Sequence, residues 1–166
     1  DYINKYKPKP GEWILGRGWN QIQFDEKREL TRHDLDRIST EHPICFTRIC
    51  EHAVAANSMA IKLAGVTGNT PQPIGGHFDA DEDGEPLGMF RETARYMIYE
   101  NVPDVSVEDI KAMLKNAAEI AAGYGVTSIQ TDDFETFASK DYEKIIRAYK
   151  ELAEEEALPL RVYEQC

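Results

Sequence analysis

The chain has 166 residues, 42% of them hydrophobic, which suits one soluble globular domain or part of one. Its formal net charge of −11 speaks against nucleic acid, because phosphate binding needs a basic surface, and against an anionic membrane. No apolar run approaches the ~20 residues of a membrane span.

In chain order, the first predicted elements are a strand over 12–19, a short helix over 31–39 and a buried strand over 44–49. Thr31 with Asp34 three residues later is a capping-box pattern, which favours a helix start there. Residues 1–11 are rich in Lys and Pro and are interpreted as linker-like.

Asn57 is predicted to cap the next helix, and Gly65 to end it. Residues 66–88, rich in Gly, Pro and Asp, are interpreted as an inserted region with a β-hairpin around Asp83-Gly84. The remaining predicted elements are a helix over 92–99, a helix from Ser106 to Gly123, a strand over 126–130, a helix over 139–155 and a strand over 160–163. This succession of short connections predicts an α/β fold with parallel strands.

Polar residues follow three strand-like runs at their carboxyl ends, where β/α enzymes place their active sites. The run 44–48 leads to Glu51 and His52, the run 88–90 to Glu92, and the run 127–129 to Gln130, Asp132 and Asp133. The four histidines of the chain are isolated, with no His-x-His pair. A complete metal site of the common kind is therefore not expected from this chain alone.

Several of these residues have two readings. Glu92 could bind a divalent metal or act as a general base, or it could lie in a first helical turn and favour the helix dipole. His52 could contact a substrate or only loop backbone. Asp132 and Asp133 could orient a catalytic group or cap a turn. Cys50, two residues before His52, raises the alternative of a thiol hydrolase.

Four segments in order resemble the YtcJ-like branch of the amidohydrolase superfamily. They are Gly16–Trp19 (GRGW), Cys50–Ile61 (CEHAVAANSMAI), the segment from Gly75-Gly76 to Glu92 with its Asp-Gly-Glu-Pro-Leu-Gly core, and Gly125–Ile129 (GVTSI). The resemblance implies a metal-dependent hydrolase of amide, formamide or related C–N bonds in a small molecule. It implies a distorted (β/α)8 barrel and a divalent metal, zinc first among them, that activates water.

By resemblance, Glu92 is assigned to a metal ligand position and His52 to a substrate contact. The candidate catalytic residues are His52 and Asp132, and the candidate substrate-binding residues are His52 and Asn57. The His-x-His pair and the later histidines of the superfamily are absent. The expectation is therefore an internal fragment, 1–166, with about three β/α units of a TIM barrel and an inserted hairpin. Alone it is expected to be inactive and to bind metal weakly or not at all.

The alternative from another class is a non-catalytic acidic α/β interaction module that self-associates, as a homodimer through open sheet edges. The odd count of three cysteines, without a regular framework, suggests a reducing compartment and a cytoplasmic protein.

Overall fold

A five-stranded mixed sheet organises the first of two units, Asp1–Pro103 and Asp104–Cys166, into which the chain divides. The computed structural model describes residues 2–135 and 141–165. The sheet order is β1-β2-β3-β5-β4; β1 and β2 are parallel and the other neighbours antiparallel. The strands are β1 (Ile14–Trp19), β2 (Ile44–Arg48), β3 (Ala53–Ala56), β4 (Gly76–Ala80) and β5 (Pro86–Glu92).

Strand β3 is buried on both faces. Its successive side chains point alternately into two hydrophobic clusters, one on each side of the sheet. Val54 and Ala56 belong to one cluster, with Phe90 and Ile98, while Ala53 and Ala55 belong to the other. The helices of this unit are α1 (Tyr2–Tyr6), α2 (Arg32–Asp36), α3 (Ser58–Leu63) and α4 (Tyr96–Tyr99), with 3₁₀ turns at Gln21–Gln23 and Thr93–Arg95.

The predicted helix starts at Thr31, Asn57 and Ser106 and the predicted hairpin are confirmed. The carboxylate of Asp34 accepts hydrogen bonds from the backbone N and the hydroxyl of Thr31, both at 2.8 Å. In the turn between β4 and β5, the side chain of Asp81 accepts from the backbone N–H groups of Asp83 and Glu85 at 3.1 and 2.9 Å. Strand β5 is not peripheral, since it lies between β3 and β4.

The second unit contains a two-stranded parallel sheet and two longer helices. Its elements are α5 (Val107–Gly123), β6 (Ser128–Thr131), a 3₁₀ turn Asp133–Glu135, α6 (Tyr142–Glu154) and β7 (Arg161–Glu164). The two helices pack through Ile110, Ile145 and Ala148. Lys111 links them as well, with its ammonium 3.2 Å from Glu151 and 2.5 Å from Glu155.

Several predicted elements differ from the structure. Residues 53–56 form a strand that was not predicted, and the predicted helix 92–99 is a 3₁₀ turn followed by the single turn α4. The first two residues of the predicted helix 139–155 lie outside the described residues. The stretch 1–11, interpreted as linker-like, contains the short helix α1.

The mixed α/β class is confirmed, while the partial barrel stays a prediction. Parallel pairing is found between β1 and β2 and between β6 and β7, each pair with a helix in its crossover. The remaining pairs of the first sheet are antiparallel, whereas neighbouring strands of successive β/α units in a barrel are parallel. Over the described ranges, no helix is long and apolar enough to cross a membrane.

Candidate functional site

The carboxyl ends of β2 and β5 bring two of the predicted site residues together. Both strands are antiparallel to β3, which lies between them, so they run in the same direction and end at the same edge. His52 follows β2 and Glu92 is the last residue of β5. The imidazole Nδ1 of His52 lies 3.1 Å from Oε2 of Glu92, and the backbone N–H of Glu92 donates to the carbonyl oxygen of His52 at 2.8 Å.

This pair is open to solvent. The side chain of His52 is 66% exposed and that of Glu92 is 54% exposed, so a small molecule could reach either. A hydrogen bond from Nδ1 to a carboxylate needs the proton on Nδ1, and a neutral imidazole then has its lone pair on Nε2. We assign this tautomer from the contact with Glu92. The pair thus offers a hydrogen-bond or proton acceptor at Nε2.

The backbone of Glu92 is strained, with φ at +51°. Left-handed backbone is uncommon for a residue that carries a Cβ and concentrates at functional sites. The structure therefore contradicts the alternative in which Glu92 lies within a helical turn, because Glu92 precedes the 3₁₀ turn and is not helical itself.

Asn57 is completely buried, and its side chain is paired with backbone in four directions. The amide oxygen accepts from the N–H groups of Ile44 at 2.9 Å and Ala60 at 3.0 Å. The amide nitrogen donates to the carbonyl oxygens of Ser39 at 3.0 Å and His42 at 2.9 Å. The predicted helix cap is confirmed. Substrate binding by Asn57 stays a prediction, and this geometry speaks against it because no polar atom of the side chain is left over.

The two described cysteines differ in their surroundings. Burial raises the pKa of the Cys45 thiol to about 12. Partial desolvation raises the pKa of the Cys50 thiol too, but the backbone N–H of His52 and the guanidinium of Arg48 outweigh it and the pKa is lowered. Residues 49–52 form a turn rather than extended strand, and the thiol makes no hydrogen bond to the His52 ring among the described residues. The thiol alternative therefore has a reactive cysteine without a paired base.

In the second unit, the acidic residues after β6 lie near the end of β7. Asp132, the predicted catalytic residue, is exposed, whereas its neighbour Asp133 accepts a hydrogen bond from the Tyr149 hydroxyl at 2.6 Å. Glu164 is half-buried, with both carboxylate oxygens shielded from solvent near the backbone N–H groups of Asp133 and Phe134. Burial, with the nearby charges of Asp133 and Asp132, raises the pKa of Glu164.

Sequence reasoning did not identify Tyr149 or Glu164. Tyr149 lies inside the predicted helix 139–155, with nothing in the sequence to single it out, and Glu164 falls one residue beyond the predicted strand. The predicted parallel pairing was the signal that could have found Glu164. When two parallel strands are joined by a crossover, their carboxyl ends lie side by side. On that rule, the residue that follows 160–163 belongs beside Asp132 and Asp133.

Comparison with known proteins decides the family. The model of the amidohydrolase family matches residues 3–165. The chain belongs to this amidohydrolase family. It is 36% identical over 152 residues, 92% of the chain, to the putative amidohydrolase YtcJ of Bacillus subtilis (strain 168), and covers 28% of that protein. It is also 33% identical over 90 residues, 54% of the chain, to an N-substituted formamide deformylase of Arthrobacter pascens, and covers 17% of it.

The fold agrees with this family membership. An uncharacterized metal-dependent hydrolase from Pyrococcus horikoshii OT3 superposes with a TM-score of 0.61 at 26% identity, over 98% of this chain and 29% of that one. The chain thus spans less than a third of the length of these relatives. The predicted resemblance to the YtcJ-like branch is confirmed.

The residues described for this amidohydrolase chain do not by themselves fit a metal. Among residues 2–135 and 141–165, no group of three or more His, Cys, Asp or Glu side chains could hold an ion. A zinc centre needs four ligands, at least three of them from protein, and the His52–Glu92 pair supplies two donors of suitable type.

Proposed function

We propose that the protein containing this chain hydrolyses a C–N bond, of the amide or formamide type, in a small molecule. Family membership supports a hydrolase, and the relative from Arthrobacter pascens is by name a deformylase of N-substituted formamides. The observation that carries the proposal in this chain is the contact between Nδ1 of His52 and the carboxylate of Glu92, exposed at the carboxyl end of two strands.

In this proposal His52 works through Nε2. The Glu92 carboxylate holds the Nδ1 proton and orients the ring, so Nε2 can accept a hydrogen bond from the substrate or a proton from the attacking water. The proton that Nε2 takes from water is then donated to the leaving amine as the C–N bond breaks, which returns the imidazole to its neutral form. The high exposure of both side chains leaves room for the substrate.

We further propose a divalent metal, zinc first among the candidates, as cofactor of the whole protein. The solved relatives from Pyrococcus horikoshii and Pyrococcus furiosus are metal-dependent hydrolases. Glu92 is the candidate ligand in this chain, because Oε1 makes no hydrogen bond among the described residues while Oε2 faces His52. The other ligands, the catalytic role of Asp132 and a homodimer through open sheet edges stay predictions.

The test uses the full-length protein with a panel of small amides and N-substituted formamides, assayed with and without a chelator and added zinc. His52→Asn and Glu92→Gln should each lower kcat/KM by about 10²- to 10⁴-fold, the scale of general acid–base catalysis. The matched controls are His33→Asn and Glu82→Gln, two exposed positions of the same unit away from the pair. Hydrolysis that is insensitive to both site variants, or no hydrolysis of any C–N bond, would contradict the proposal.

A further inference from the structure

The turn that carries His52 is held in an unfavourable backbone conformation. Glu51, directly before His52, has φ at +63°. Glu92, the last residue of β5 and the contact partner of His52, has φ at +51°. Residues with a Cβ adopt this region only when surrounding contacts enforce it. The contacts that hold this turn also determine where the imidazole of His52 lies.

The backbone N–H of Glu51 donates to the carbonyl oxygen of Arg48 at 2.9 Å, and the side chains of two further arginines contact Glu51 in different ways. Arg17 pairs with the Glu51 carboxylate, but these side chains are 70% and 60% exposed, and such exposed pairs contribute little to stability. Arg95 instead donates from Nη1 to the backbone carbonyl oxygen of Glu51. A contact to the backbone fixes the peptide that joins Glu51 to His52, whereas a contact to the side chain does not.

Arg95 is itself well anchored. It is half-buried in the 3₁₀ turn Thr93–Arg95, with its guanidinium 5.1 Å from the centre of the Tyr96 ring and Nη2 3.4 Å from the Tyr96 hydroxyl. Its Nε atom is buried without a hydrogen-bond partner among the described residues. A guanidinium stacked and bonded in this way loses little freedom when it binds a carbonyl.

We infer that Arg95 is a positioning residue for His52, an inference that rests on the proposed function of the His52–Glu92 pair. Arg95 lies three residues after Glu92, so its bond to the Glu51 carbonyl closes a ring of contacts. The ring runs from Glu92 to His52 through side chain and backbone, on to Glu51 through the chain, and back through Arg95. Arg95 thereby keeps Nδ1 directed at Glu92 and Nε2 directed away from it.

The test reads the tautomer of His52 from the imidazole nitrogen-15 shifts of the full chain at alkaline pH, where ordinary imidazoles are neutral. In the wild type, the form with the proton on Nδ1 should predominate. Arg95→Met keeps the length of the side chain and removes the guanidinium. It should lower the ratio of the Nδ1–H form to the Nε2–H form by about fivefold, the scale of one ordinary hydrogen bond.

The matched control is Arg17→Met, which removes the other arginine at Glu51 and should leave the ratio unchanged. Arg95→Lys keeps one donor and should give an intermediate ratio; it also serves if Arg95→Met does not fold. Adding free guanidinium to Arg95→Met should restore part of the Nδ1–H form. If Arg95 only stabilised the fold, free guanidinium would not restore the Nδ1–H form of His52.

An Arg95→Met or Arg95→Lys ratio equal to that of the wild type would overturn the inference, and so would a wild-type His52 that holds its proton mainly on Nε2. The proposed function fails separately. If the tautomer responds to Arg95 but His52→Asn leaves hydrolysis intact, positioning by Arg95 is correct and the catalytic role of His52 is wrong.

Discussion

Gly88 lies against the backbone of Arg32, where β5 passes the start of α2. A Cβ built on Gly88 would be 2.4 Å from the amide nitrogen of Arg32 and 2.9 Å from the carbonyl oxygen of Ala56, and its φ is +117°. Real Cβ atoms do not approach backbone so closely. Close approach and backbone conformation therefore both require glycine at this position.

Gly88→Ala should consequently destabilise the chain by at least ~2 kcal/mol, since neither strand nor helix can move away without breaking sheet contacts. The measurement is urea denaturation followed by circular dichroism. Gly11→Ala is the control, because Gly11 has φ at +87° with nothing within 4 Å of the added Cβ. It should cost only the ~1 kcal/mol of left-handed backbone. Equal losses in both variants would show that the contact with Arg32 is not real.

Asn57→Asp should destabilise the chain by about 3 kcal/mol or more, because a buried carboxylate would face the carbonyl oxygens of Ser39 and His42. Asn57→Ser keeps an oxygen that can accept from Ala60 and should cost less. The loss in Asn57→Asp should shrink as pH falls, since a protonated carboxyl can donate to one carbonyl. Thermal unfolding across pH measures this; variants of normal stability that lose only hydrolysis would favour substrate binding by Asn57 instead.

The proximity of His52 and Glu92 could be predicted from the sequence. Both residues follow apolar runs, and strands that run in the same direction have their carboxyl ends at the same edge of a sheet. The burial of Asn57 could not, since the cap is a local pattern while the carbonyl groups of Ser39 and His42 come from the preceding loop. The strand 53–56 was missed for a related reason. Three of its four residues are alanine, which has little strand preference, and only its two neighbouring strands make it one.

The role of Arg95 lay beyond sequence reasoning altogether. Its partner is a backbone carbonyl at Glu51, and a carbonyl contact leaves no complementary charge to find in the sequence. Its neighbourhood was also predicted as one regular helix, in which Glu92 would not have taken left-handed backbone. Sequence reasoning thus placed His52 and Glu92 at strand ends, while the contacts that hold them there depend on tertiary structure.

Alkylation by iodoacetamide at neutral pH should modify Cys50 faster than Cys45, by more than about tenfold, because thiolate is the reactive form. Cys50 is exposed with a lowered pKa, whereas Cys45 is buried with its pKa raised to about 12. Peptide mass spectrometry gives both rates, and unfolding in urea should make them similar.

In the full-length protein, modified Cys50 or Cys50→Ser should retain hydrolysis. Complete loss in Cys50→Ser with normal folding would revive the thiol mechanism.

Glu164→Gln should stabilise the chain at neutral pH. Burial and the charges of Asp133 and Asp132 raise the pKa of Glu164 above its value in the unfolded chain. A carboxyl group of this kind favours folding while protonated, so its contribution is present in acid and is lost as pH rises through the folded-state pKa. Glutamine stays neutral at every pH. The gain should be ~1 kcal/mol or less, because Glu164 is only half-buried and the backbone N–H groups of Asp133 and Phe134 partly stabilise its carboxylate.

The gain should vanish on acidification below the ordinary glutamate pKa of ~4.3, where the wild type is neutral as well. Urea denaturation at a series of pH values measures the difference between the two proteins. Glu154→Gln, at an exposed position of α6, is the control and should show no such gain. A Glu164→Gln variant less stable than the wild type at neutral pH would mean that the hydrogen bonds from Asp133 and Phe134 outweigh burial and the acidic neighbours, and the predicted direction of the Glu164 pKa would be wrong.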